Sequence, residues 1–582
     1  MTVKGFGLGL LFSQLCAAAD PFLQSLEDGS WVIGNDLWNI TQGSVYGKQL
    51  YYKDKDLIGD AVGHYVGYST TMPQPPFPRT RQLTKTDGEN NLNFTSAEIV
   101  ARGDNYIDIS FKATQGEFHW VIFDDLTGAY QYFVNRDLPV LGVFRTLFRL
   151  DNQTFPNGRT NIKDEPLPAF AEFLNATNVQ DETWERADGT FLTKYDWSAF
   201  IRDIDYYGVY GDDYGSWYIR PGTDYFNGNH LKQELIVHRE SKTGDAVQLN
   251  VVHGTHFQAS SSDAFPDGKI FGPWLWYLND GSRDDAAARQ KQEFAAWPYA
   301  WLDNAAYQAR ASEVTGTLRL SDGRPAAGAA VFLGENRSNK TTLDQGALYN
   351  YATHADAQGS FQFTNVRAAT YGLYAWADGG EVLGNVTTSF VQDDVEIAAG
   401  AAVALPALEE WQVPAGRSPI FRIGDVDRKA LGFALGGHAY QHGLVDQAPA
   451  NLTFTVGVSQ VDDWYFAQSA LGSWDVVFDV DAASARNRSA LLSVALAGFS
   501  RGSSASIYLN GAAARVGNIT TDAVPTDPSL YRSATVAGEW HLFEFPVDGA
   551  LLVDGSNTLS VVVERSTRWR GWLWDSLILE WV

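Results

Sequence analysis

Two histidines stand three residues apart in NVVHGTHF (250–257), two arginines stand four apart in FRTLFRL (144–150), and one lysine sits among aromatic residues in GTFLTKYDWSAFIRD (189–203). Imidazole, guanidinium and a partly desolvated amine are groups that bind anionic substrates and move protons. Which of them can act together depends on the backbone. Val251, Val252, Gly254 and Thr255 disfavour a helix, so this stretch reads as a strand continuing AVQLN (246–250). Residues three apart on a strand face opposite sides, so His253 and His256 cannot share a metal unless a bulge at Gly254 turns the chain. One histidine then faces the interior and the other faces outward. The same alternation puts Arg145 and Arg149 on one face and Phe144 and Phe148 on the other. Taken alone, that fits an edge strand with solvated arginines as readily as a binding face. Lys194 lies among Phe191, Leu192, Tyr195 and Trp197, where burial weakens its preference for the charged form; it also fits a surface lysine whose stem lies on apolar residues.

The elements that must position these groups are predominantly strands. The chain has 582 residues, enough for two to four domains, with 13% aromatic residues and frequent Gly and Pro. Segments such as YIDISFKA (106–113), HWVIF (119–123) and LKQELIVHR (231–239) read as strands separated by turns, and they predict a large antiparallel sandwich over 20–308. Near residue 310 the texture changes to alternating apolar sequence with turns about every ten residues, which predicts a small sandwich over 309–408. After the connector LPALEEWQVPAG (405–416), strands such as LLSVALAGF and NTLSVVVER predict a jelly roll over 409–582.

Bulk properties narrow the function. A formal charge of −26 repels phosphate backbones and anionic lipid, so neither nucleic acid nor membrane is expected as a partner. Lys4, an apolar run over 5–15 and Ala17-Ala18-Ala19 before Asp20 have the layout of a cleaved secretory signal (1–19), so a secreted, extracellular product is expected. The single cysteine, Cys16, falls inside that signal, leaving the mature chain without disulfide, thiol nucleophile or zinc–thiolate site. Glycosylation sequons at Asn39, Asn93, Asn152, Asn175, Asn336, Asn339, Asn385, Asn451, Asn487 and Asn518 fit an exported glycoprotein.

Taken together, FHWVIFDDLTGAYQYFV (118–134), VVHGTHF, KIFGPWLWYLNDG (269–281), WPYAWL (297–302), GSFQFTNVRAATYGLYAWADG (359–379) and IFRIGDVDRKALGF (420–433) resemble the rhamnogalacturonan lyases of polysaccharide lyase family 4, in that family's order. The resemblance covers nearly the whole mature chain. It implies a mostly β architecture: a large galactose-mutarotase-like catalytic β-sandwich, a fibronectin-III-like middle domain and a C-terminal jelly roll similar to a carbohydrate-binding module. It also implies Lys194 and His256 as the catalytic pair and Arg145 as a substrate-binding arginine, with Arg532 in LYRSATVAGEW (530–540) contributed by the C-terminal domain. Arg149 and His253 join them here as candidate substrate contacts. Where some fungal members carry two tyrosines, this chain has Leu249 and Val251.

The chemistry so implied is β-elimination on rhamnogalacturonan I, a pectin backbone. The hydrogen on C5 of galacturonate is removed, and the C4 oxygen that joins it to rhamnose is expelled. Cations against the carboxylate stabilise the enolate-like transition state more than the ground state, a task that suits Arg145 and Arg149. Lys194 is read as the base and His256 as the acid, with the reverse left open. No cofactor is required. Asp203 with Asp205, and Asp212-Asp213, could hold a structural Ca²⁺, but they lack EF-hand-like spacing and read as solvated loops. A monomer is expected. Two rivals share these features: a pectin glycoside hydrolase, which needs a carboxyl pair, and a non-catalytic polysaccharide-binding protein using some of the 19 tryptophans.

Overall fold

The computed structural model describes residues 20–70, 89–254, 256–257, 264–336, 346–481, 488–520, 524 and 526–582. The expected signal segment with Lys4 and Cys16, and the sequons at Asn339 and Asn487, lie outside the described residues.

The fold is mostly β. A ten-stranded and a nine-stranded sheet, antiparallel throughout their described pairings, form the first sandwich. Aromatic side chains from both sheets fill it: Trp38 and Phe148 from one, Trp120 and Trp276 from the other, all at most 1% exposed. Phe148 stacks on Trp276 at 4.4 Å, an arrangement that adds to the burial of two large rings. The strand Leu141–Leu150 shows how the sequence selects its faces. Phe144 and Phe148 point into this core, whereas Arg145 and Arg149 are half-buried on the opposite face.

Beyond residue 310 the chain forms a three-stranded sheet and a four-stranded sheet over 310–404, and from 418 onward two five-stranded sheets. These are the middle and C-terminal sandwiches. The middle one is tied to the first by Asp224, which accepts from Arg310 at 3.1 Å and Arg367 at 2.9 Å. The C-terminal one reaches the first through Gln233, whose side chain donates to the Ala537 carbonyl and accepts from the Tyr440 hydroxyl.

Two local expectations are corrected. LKQELIVHR is not one strand: Gln233–Leu235 pairs with Ser198–Phe200, and Val237–Arg239 joins the edge of the ten-stranded sheet. The chain changes sheets at Ile236, which donates to the Trp197 carbonyl and accepts from the Leu249 amide. Strict alternation along the histidine strand is broken by a bulge at Val252. Phe144 pairs with His253 and Arg145 with Val251, which leaves Val252 unmatched.

Candidate active site

The outward face of the ten-stranded sheet supplies one wall of a cavity of about 320 Å³. In register, Arg145 faces Val251, Leu147 faces Leu249 and Arg149 faces Val247. Tyr65 on the neighbouring strand Gly63–Thr70 closes this side and accepts from Arg149 Nε at 3.2 Å. Arg149 also pairs with Glu240 at 3.2 Å and lies 3.8 Å from Asp245. Burial alone would lower its pKa, but Tyr65, Glu240 and Asp245 outweigh that and hold it above the usual arginine value.

Lys194 enters from the end of the strand Phe191–Thr193, where the chain tightens into the 3₁₀ turn Lys194–Trp197. Tyr195 and Trp197 turn inward at 2% and 3% exposure, and that anchoring leaves the Lys194 ammonium on the cavity wall. Its Nζ lies 5.5 Å from the Tyr195 ring centre. Burial pushes the Lys194 pKa down and Arg145 pushes the same way, against Glu182, Glu240 and Asp181; the net direction is below the ordinary lysine value.

His256 reaches the same cavity from the loop after Ala246–Gly254. The turn needs a glycine. Gly254 has φ +85°, and a Cβ there would come within 2.0 Å of the Gly142 carbonyl. Glu234, fully buried, accepts from the His256 backbone N–H at 2.8 Å with one oxygen and meets ring Nδ1 with the other. Burial lowers the His256 pKa, and Arg532 and Lys194 add to this while Glu234 opposes it; the net direction is below 6.5.

The structure thus brings Arg145, Arg149, Lys194 and His256 onto one cavity wall. Two expected substrate contacts are placed elsewhere. His253 is 0% exposed, because the Val252 bulge returns it to the Phe144 face of the sheet, where it packs edge-on against Phe265 at 4.8 Å. Arg532 is absent from the described cavity lining. It donates to the His256 carbonyl at 2.7 Å and to Asp181 at 3.0 Å, and its guanidinium lies 4.6 Å from the Tyr195 ring centre. These contacts tie it to the backbone that bears His256.

Sequence reasoning missed His238, Glu240 and Glu182 on the cavity wall, and Glu234 behind it. His238 and Glu240 share a strand face by alternation, which was legible, but nothing in the spacing showed that this face meets Arg149. Burial pushes His238 down to about 4, so it is neutral at mid pH. Glu240 lies below the usual carboxylate range: burial would raise it, but the His238 contact and the Arg149 and Lys194 charges outweigh that. Of the acidic residues considered for Ca²⁺, Asp205 is held by Arg159 at 2.8 Å.

An amine, an imidazole and two guanidinium groups thus line one cavity on a large β-sandwich, and the chain is a polysaccharide lyase by its similarity to known proteins. Residues 321–405 match the family description "Polysaccharide lyase family 4, domain II" and residues 419–579 match "Polysaccharide lyase family 4, domain III". The chain is 32% identical over 474 residues to the rhamnogalacturonate lyase of Dickeya dadantii, covering 78% of this chain and 77% of that protein. It is 24% identical over 519 residues to a probable rhamnogalacturonate lyase B of Aspergillus flavus, with 77% and 74% covered. Rhamnogalacturonate lyase B of Emericella nidulans is also 24% identical, over 486 residues, with 74% and 69% covered. The chain belongs to polysaccharide lyase family 4.

Proposed function

We propose that the chain is an exported, pectin-degrading rhamnogalacturonan lyase that cuts the rhamnose-(1→4)-galacturonate bond of rhamnogalacturonan I by β-elimination. The observation that carries this reading is the convergence of Arg145, Lys194 and His256 on one cavity in a chain whose relatives are named rhamnogalacturonate lyases. The leader-like residues 1–19 support export.

In the proposed reaction the galacturonate carboxylate lies against Arg145 and Arg149, whose charges oppose the second negative charge that builds as C5 loses its proton. The C5–H electron pair becomes the C4=C5 double bond, the C4–O4 bond breaks, and the rhamnose-bearing chain leaves with a proton on O4. One group must therefore accept a proton while another donates one. Burial lowers both Lys194 and His256 from their ordinary values, which brings each nearer to the state that accepts a proton. The Glu234 carboxylate at ring Nδ1 leaves the far nitrogen of a neutral His256 able to accept, so His256 is assigned as the acceptor at C5 and the Lys194 ammonium as the donor to O4, the reverse of the first assignment from sequence. The positive charge comes from arginines, and the scheme needs no metal ion.

The test is incubation of the purified protein with debranched rhamnogalacturonan and, separately, with homogalacturonan, following ultraviolet absorbance of the unsaturated uronate together with chain length. Absorbance should rise with rhamnogalacturonan. Turnover of homogalacturonan alone would reject the substrate, and chain shortening without new absorbance would reject elimination.

A further inference from the structure

Three consecutive polar side chains, Lys232, Gln233 and Glu234, are at most 2% exposed, in a stretch where an apolar run would be the ordinary choice. Each has a defined partner. Lys232 donates to Asn227 Oδ1, which also accepts the Gly254 N–H at 2.9 Å. Gln233 joins Tyr440 and Ala537 of the C-terminal sandwich. Glu234 turns one oxygen to the His256 N–H at 2.8 Å and the other to ring Nδ1. The loop that carries His256 is therefore held at its start through Asn227 and at the histidine itself by Glu234.

We propose that Glu234 is a positioning residue of the reaction, whose carboxylate keeps His256 in the Nδ1–H tautomer and so leaves Nε2 as the proton acceptor at the cavity. This rests on the reading of His256 as a group that moves a proton of the substrate. An ionised carboxylate is acceptor-only, so a neutral imidazole that meets it through Nδ1 must carry its proton there. Nε2 then holds a lone pair. When Nε2 takes the C5 proton, the new imidazolium faces an anion that is already in place and already desolvated, so no reorganisation is needed as charge develops. Backbone and ring are fixed by the same side chain, so position and protonation are set together. The charged groups around this pair are Lys232, behind Glu234, and Arg532 and Lys194, on the other sides of His256. Both of the latter disfavour the imidazolium, and Glu234 opposes them.

Glu234→Gln separates shape from charge. An amide has one acceptor oxygen where the carboxylate has two, and its NH₂ cannot accept from Nδ1–H. Either the backbone N–H loses its partner or the ring is driven to the Nε2–H tautomer. A wrong tautomer costs a triad enzyme about 10⁴-fold in kcat, and a loss of about 10³-fold is expected here, with KM little changed. The acidic limb of the rate profile should move to lower pH because the anion that favours the imidazolium is gone, and Glu234→Asp should recover part of kcat. Nitrogen-15 NMR of the ring in the wild-type protein, assigned by difference against His256→Ala, should show the proton on Nδ1. A proton on Nε2 overturns the proposal even if Glu234→Gln does not fold. Full activity in a folded Glu234→Gln with an unmoved acidic limb overturns it as well. An active His256→Ala would instead remove the reading of His256 on which it rests.

Discussion

Arg532→Ala tests whether this arginine contacts substrate or braces the His256 loop. Among its described side-chain contacts, the bond to the His256 carbonyl at 2.7 Å bears directly on the loop, whereas the Asp181 contact at 3.0 Å and the Tyr195 ring at 4.6 Å hold the guanidinium itself. A hydrogen bond from a charged donor to a carbonyl contributes about 1.5–3 kcal/mol. Losing about 2 kcal/mol from the competent loop position would lower its population by at most about 30-fold. Glu234 and Asn227 still hold the loop, so a fall in kcat of about 10-fold is expected, with KM within about twofold of wild type. The pH profile gives a second readout. Arg532 disfavours the imidazolium of His256, so its removal raises that pKa and moves the acidic limb up. Removal also leaves Asp181 without its arginine, so the acid acts more strongly on Lys194 and moves the alkaline limb up. Initial rates on debranched rhamnogalacturonan across pH, with full substrate saturation at each point, measure both effects. A tenfold rise in KM at unchanged kcat, or an acidic limb moving down, would refute the bracing role and restore direct substrate contact.

Three further outcomes are expected. Wild-type kcat/KM should be bell-shaped, its acidic limb below pH 6.5 from His256 and its alkaline limb below 10.5 from Lys194; His256→Ala should lose the first limb and Lys194→Ala the second, each with a large loss of rate. Asp224→Asn leaves the buried Arg310 and Arg367 without their carboxylate and should cost about 3–5 kcal/mol, read by denaturant unfolding. Burial would raise the Asp224 pKa, but the two arginines hold it below 3.8, so its stabilisation is full above that value and is lost as pH falls through the folded pKa; the wild-type advantage over Asp224→Asn should shrink below about pH 4. Chelator treatment should leave turnover intact, and a loss restored by Ca²⁺ would contradict the metal-free scheme.

Composition and turn-punctuated strand segments determined that this is a mostly β chain, and period-two patterning that Phe144 and Phe148 oppose Arg145 and Arg149, because a strand with one face buried admits only one inside and one outside. Turn spacing likewise indicated where the texture of the chain changes. Lys194 and His256 were reached through family motifs, since no spacing links residues 62 positions apart. Tertiary structure decided the rest. Alternation cannot foresee the unmatched Val252, which sends His253 to the core, nor the turn at Gly254 that carries His256 into the cavity. Glu234 meets His256 across 22 residues and Arg532 meets it across 276, contacts that exist only once separate sheets have packed. A local pattern specifies which way a side chain points; what it points at is set by segments folded in from elsewhere in the chain.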